Sequence, residues 1–206
     1  MKKILLLLFI MTGLITVNAQ IRPVYFYGDK VTSNKDKATS YAIYGKLSDQ
    51  DIWMFKRYDL YDNLLQTGSY NDELLTVPHG KFVFYMGVVD YNNINRTRYD
   101  LKGKTRFKSQ EGDFINGKEE GNWFTYYPDG NVSSYMEFKG GLANGAYKEY
   151  DKYGDVMVSG NFLNNEKHGE WISENGTRID TYENGVLKST RYVKKTKKVK
   201  GEVKNQ

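Results

Sequence analysis

Beyond residue 20 the chain is a succession of short runs in which aromatic or β-branched residues alternate with polar ones. A period of two is the pattern of strands that bury one face. Turn dipeptides punctuate the runs: Asn116-Gly117, Asp129-Gly130, Asn144-Gly145, Asn175-Gly176 and Asn184-Gly185. Both residues of such a pair tolerate positive φ, so each predicts a two-residue hairpin loop. No stretch shows a helical period with caps. The pattern predicts an all-β fold of tandem antiparallel hairpins.

The runs also recur at a fixed distance. Gly121-Asn122-Trp123-Phe124-Thr125-Tyr126 returns 24 residues later as Gly145-Ala146-Tyr147-Lys148-Glu149-Tyr150. After another 24 it returns as Gly169-Glu170-Trp171-Ile172-Ser173-Glu174, without the last aromatic. Phe114, Phe138 and Phe162 each stand nine residues ahead of an anchor ring. Residues 58–70 match 150–162 without a gap, and Gly80-Lys81-Phe82-Val83-Phe84-Tyr85 supplies a further anchor. Five units result over 53–188, anchored at Phe55, Phe82, Trp123, Tyr147 and Trp171. A period of this size marks one supersecondary unit copied in tandem, each copy burying its neighbour's surface. The second unit carries an insertion at 86–99, the last unit is shortened like a cap, and 20–52 read as an N-terminal β cap.

Two stretches then resemble a known family. Asn116-Gly117-Lys118-Glu119-Glu120-Gly121-Asn122-Trp123 and Asn165-Glu166-Lys167-His168-Gly169-Glu170-Trp171 look like bacterial variants of the MORN repeat. The same repeats characterise the YwqK-type antitoxin family. The likeness covers about 41–188 and is strongest over 107–188. It implies β-hairpin repeats stacked into an elongated, meandering antiparallel sheet. It implies scaffolding or binding rather than catalysis, and in the antitoxin case neutralisation of a toxin by direct contact.

The ends change the picture of where such a module would act. Lys2 and Lys3, an apolar run from Ile4 to Ile15 and the small residues before Gln20 predict a cleaved signal peptide over 1–19. The apolar run is too short to span a bilayer. The protein is therefore expected in the periplasm, at the outer membrane or outside the cell. There is no cysteine, which excludes disulfides, thiolate catalysis and Cys-ligated metals. The net charge of +5 belongs to the C-terminus: eight basic residues lie at or beyond Lys188, opposed only by Glu202. With those and the two signal lysines set aside, 20 basic residues face 24 acidic ones. A nucleic-acid partner is thus not expected. The tail over 189–206 reads as disordered, a solvated end or a contact for anionic lipid.

Candidate chemistry is sparse. His79 and His168 occupy equivalent repeat positions, each directly before the glycine that precedes an anchor by two. A repeated position is structural in most cases, whereas a general base is unique. Glu119-Glu120, Asp72-Glu73 and Glu166 recur at hairpin tips, so they read as solvated turns ahead of a glycosidase pair. No catalytic, cofactor or metal site is predicted, and an envelope glycan hydrolase is the remote alternative. The aromatic stripe Trp123, Tyr126, Tyr147, Tyr150 and Trp171 has two readings: a stacked core, or a surface for another macromolecule, most simply a protein.

Overall fold

The computed structural model describes residues 22–47 and 51–194; the expected signal peptide and residues 195–206 of the tail lie outside the described residues. Fourteen strands form one antiparallel sheet. They are β1 (Arg22–Tyr27), β2 (Lys30–Thr32), β3 (Ser40–Lys46), β4 (Trp53–Asp59), β5 (Leu64–Tyr70), β6 (Gly80–Gly87) and β7 (Arg106–Ile115). They continue as β8 (Lys118–Tyr126), β9 (Val132–Lys139), β10 (Leu142–Tyr150), β11 (Val156–Leu163), β12 (Glu166–Ser173), β13 (Arg178–Glu183) and β14 (Val186–Tyr192). From β3 to β14 the spatial order is the chain order, so the sheet is a meander. At the other edge β1 lies beside β3 and β2 covers β1, which joins the N-terminal segment to the same sheet. Strand β14 runs to Tyr192, a few residues into the stretch expected as tail.

Antiparallel alternation places every second connection at the same end of the sheet. One end carries tight turns from β7 onward, beside the nine-residue 71–79 connection between β5 and β6. Asn116-Gly117, Gly140-Gly141, Asn164-Asn165 and Asn184-Gly185 each have positive φ at both positions, the geometry of a two-residue hairpin loop. Each tight turn also leans on the hairpin before it. The N–H groups of Gly117, Gly141, Asn165 and Gly185 donate to the carbonyls of Pro78, Glu119, Ala143 and Lys167 at 2.8 to 3.0 Å. The 24-residue repeat thus appears as a repeated backbone hydrogen bond.

The opposite end carries longer loops. The 59–63 and 151–155 loops are built alike: the Asp59 carboxylate accepts from the Tyr61 and Asn63 N–H groups, and the Asp151 carboxylate from those of Tyr153 and Asp155. Here too sits the insertion, which contains the α-helix α1 (Val88–Asn95). Its sequence is poor in strong helix formers, and tertiary contacts hold it. The Tyr91 ring meets Phe107 at 5.4 Å and Tyr99 at 5.8 Å, and Tyr99 stacks on Tyr127. The Asn92 side chain closes the loop by accepting from Thr97 Oγ1 and the Tyr99 N–H and donating to the Tyr99 carbonyl.

Three expected turns differ. Asn175-Gly176 lies in the four-residue connection 174–177 between β12 and β13, where Glu174 has positive φ as well, and is not a two-residue loop. Asn144-Gly145 lies inside β10, where a bulge with positive φ at Gly145 precedes Tyr147. The loop closes at Gly140-Gly141 instead, because two glycines reach positive φ without a Cβ penalty. Gly145 is the counterpart of Gly121 and Gly169, which also have positive φ two residues before an anchor. Asp129-Gly130 sits in the five-residue connection between β8 and β9 and is not itself a two-residue loop.

The core is a row of rings on one face. Phe55, Phe82, Trp123 and Trp171 are buried, and contacts run Phe55–Tyr70–Phe82–Phe114–Trp123–Phe138 at 4.9 to 5.9 Å. The row resumes as Tyr147–Phe162–Trp171–Tyr182. All of these contacts are edge-to-face, worth about 0.5–1.5 kcal/mol each beyond burial. The anchors can lie flat because glycine stands on the neighbouring strand. Gly68 faces Phe82, Gly112 faces Trp123 and Gly160 faces Trp171, and an added Cβ would sit closer than 3.0 Å to the ring in all three. Among the described residues no second layer stands over this row.

Gly112→Ala and Gly160→Ala are each expected to lower stability by about 1–3 kcal/mol through overpacking. Gly45→Ala, where a Cβ has open space, is expected to change it by less than about 0.5 kcal/mol. Urea unfolding of the three variants checks this.

Candidate functional site

The sheet has a second face, opposite the ring row. With Trp123, Met136 and Tyr147 on the core side, strand alternation sends Phe124, Tyr126, Tyr135, Glu137, Ala146, Lys148 and Tyr150 to the other. Across β8 to β10 this face holds an open groove of about 690 Å³. It is lined by Phe124, Tyr135, Tyr150, Tyr153, Glu137, Lys148, Asn131, Val132, Ala146 and Gly154. Strands supply the floor, and the 127–131 and 151–155 loops supply the rim at the long-loop end.

The floor is ordered by internal bonds. Phe124 and Tyr135 meet at 5.4 Å. The Tyr135 hydroxyl donates to Glu137, whose other oxygen accepts from the Ala146 N–H at 2.9 Å. These bonds hold the Glu137 carboxyl below its usual range, while the bonded carboxylate pushes the Tyr135 phenol up to about 12. The loops are tied together by Tyr127, whose hydroxyl donates to the Tyr150 carbonyl at 2.6 Å. Tyr153 projects from its turn with 79% of its surface exposed, and Lys148 is exposed with no ion pair among the described residues.

Beside the groove the same face carries a charged cluster. Glu111 accepts from Lys108 Nζ at 2.7 Å, from Lys81 Nζ at 3.0 Å and from the Tyr126 hydroxyl. The Lys108 ammonium stands 4.1 Å over the Tyr126 ring. Burial works against the Glu111 charge, but the three donors outweigh it and hold the carboxyl at about 2. Every charge in the cluster has a partner, so it stiffens the β7–β8 region.

The expected stripe divides between the two faces. Trp123 and Trp171 are buried in the ring row and Tyr147 stacks on Trp171 at 5.5 Å, so these three build the core. Tyr126 and Tyr150 lie on the opposite face, and Tyr150 lines the groove. Phe124, Tyr135, Lys148 and Tyr153 escaped the repeat-based reading. The signal that finds the first three is parity: residues an odd number apart in one strand face opposite ways, so Trp123 and Tyr126 cannot share a surface. Asp72, Glu120 and His79 serve the turns. Asp72 accepts from the Thr76 and Val77 N–H groups, Glu120 accepts from the Gly140 N–H, and His79 Nδ1 accepts from the Asn116 N–H at 3.4 Å. His79 enters β6 and His168 lies on β12, roughly 30 Å apart at the usual strand spacing. Among the described residues no three His, Cys, Asp or Glu side chains gather as metal ligands, and no helix is long and apolar enough to cross a membrane.

No protein-family model and no curated protein matches this chain. Among solved structures, S. aureus TarM, crystallised as a mutant with fondaparinux, α-GlcNAc-glycerol and UDP, is similar over 62% of this chain. The identity is 10% and the TM-score 0.34. The chain spans 21% of TarM, and a likeness this weak carries no argument.

The Glu111 cluster sets a pH dependence. A carboxyl whose value falls from 4.5 unfolded to about 2 folded adds stability that is complete above the first value and lost as pH falls towards the second. The stability difference between the native chain and Glu111→Gln is expected to be constant near neutrality and to shrink below about pH 4.5. Urea midpoints measured from neutral to acid pH check it, and a gap independent of pH would contradict the assignment.

Proposed function

We propose that the chain is an exported, non-enzymatic repeat module that binds another macromolecule of the cell envelope through the face opposite its ring row. The observation that carries this reading is the division of labour between the faces. One spends its rings on the core, and the other keeps Phe124, Tyr135, Tyr150 and Tyr153 around an open groove. Open, largely apolar concavities with a few fixed polar groups are the usual form of a recognition site. The turn-capping roles of Asp72, Glu120 and His79 also support binding over catalysis. Export rests on the N-terminal pattern of the sequence. An immunity protein would be the special case in which the bound macromolecule is a toxin.

Two measurements test this. The N-terminus of the protein recovered from envelope or culture fractions is expected to be Gln20. Immobilised chain is expected to retain a partner, identified by mass spectrometry, that is lost with Tyr150→Ala/Tyr153→Ala and kept with Tyr61→Ala. Tyr61 is the exposed counterpart of Tyr153 in the 59–63 loop, outside the groove. Retention of nothing, or retention indifferent to the double variant, would remove the proposal.

A further inference from the structure

The groove's own chemistry narrows what it takes. We propose that it is a carbohydrate site, binding pyranose units of a glycan chain on its aromatic rings. This deepens the binding-module reading and rests on it.

Three observations point to sugar. The first is topology. Strands β8 to β11 are interior strands, each hydrogen-bonded to a neighbour on both sides. No free backbone edge is offered, so an extended peptide cannot be held by strand addition, and recognition must run through side chains. The second is the ring set. Phe124, Tyr135, Tyr150 and Tyr153 surround one concavity. An aromatic face carries negative charge density and attracts the weakly positive C–H groups on the flat side of a pyranose ring. Tyr153, at 79% exposure, leans from a turn whose Asp151 carboxylate fixes two of its N–H groups. An exposed ring on a rigid turn loses little freedom on binding.

The third observation is the polar complement. Sugar hydroxyls both donate and accept, so a site for them needs both kinds of group beside the rings. Glu137 is an acceptor fixed by Tyr135 and the Ala146 N–H. Lys148 is an exposed donor without an acidic partner among the described residues. The Asn131 amide donates its N–H groups to Asp129 and the Lys152 carbonyl, which leaves its own oxygen as a second acceptor. One cation and one anion leave the lining without net charge, which suits hydroxyls better than the phosphates of a nucleic acid or a lipid headgroup. The volume, about 690 Å³, is in the range of small-ligand sites, about 300–1,000 Å³.

The test uses the purified full chain with cellohexaose, chitohexaose, maltohexaose and hexagalacturonate, titrated by calorimetry. At least one is expected to bind saturably below about 1 mM, a free energy near −4 kcal/mol. Tyr153→Ala and Lys148→Ala are each expected to weaken it by about tenfold or more, as truncating a binding anchor does. Both side chains are exposed, so both variants should fold, and unchanged urea midpoints confirm that. Tyr61→Ala should bind as the native chain does. Absence of saturable binding across the four sugars, or binding that survives both groove variants, overturns the carbohydrate assignment. If a protein is instead retained through Tyr150 and Tyr153 while all sugars fail, the carbohydrate inference falls and the broader reading stands.

Discussion

Among the described residues no second layer covers the sheet, so it must find its core within itself, and it does so by laying large rings over glycine. Domains ordinarily bury a sheet face against another element. In this chain Phe82, Trp123 and Trp171 lie across Gly68, Gly112 and Gly160 of the adjoining strands, where a Cβ would collide with the ring. Each ring then meets the edge of the next, and the row is buried by its own members. The rest of the architecture follows. The anchor must arrive at the right height over its glycine, so the strand before it bulges at a positive-φ glycine such as Gly121, Gly145 or Gly169. Each bulge and tight turn sets the hairpin against the one before it, and the turn hydrogen bonds donated by Gly117, Gly141 and Asn165, 24 residues apart, record that spacing.

The same constraint releases the other face. Since one side supplies the burial, the opposite side is free of packing duty wherever no neighbour covers it, and side chains there can be chosen for charge or contact. The Lys81–Glu111–Lys108–Tyr126 cluster and the groove beside it lie on that side. The groove opens at the long-loop end, where loop length varies without disturbing the register set by the tight turns. The helical insertion sits at that end too, packed through Tyr91 and Tyr99. From β7 to β14 the fold keeps one end and one face strict and leaves the other end and face variable.

How much could be seen beforehand depended on the range of the interactions involved. Strand alternation and the turns at Asn116-Gly117 and Asn184-Gly185 are local matters of φ and pleat, and they stand as expected. Asn144-Gly145 does not close a loop, because a dipeptide alone does not settle which of two glycine sites will do so. Its place two residues before an anchor was the better guide. Helix α1 had no local signal, since it is held by Tyr91 against Phe107 of β7 and by the Asn92 bonds to Thr97 and Tyr99. The candidate surface was half legible: recurrence picked out Tyr126 and Tyr150 together with Trp123, Tyr147 and Trp171, while parity separates the first two from the other three.

The sequence by itself determined the class of fold, the repeat length and the end-to-end order of hairpins, because these rest on periodicity and on contacts between neighbours along the chain. Tertiary structure alone decided which rings became core and which were left facing a groove. That choice depends on the register between strands, where a one-residue difference moves a side chain from one face to the other. It also brought Tyr153 from a turn, Lys148 from β10 and Phe124 from β8 around one concavity, a gathering that no single stretch of the chain encodes.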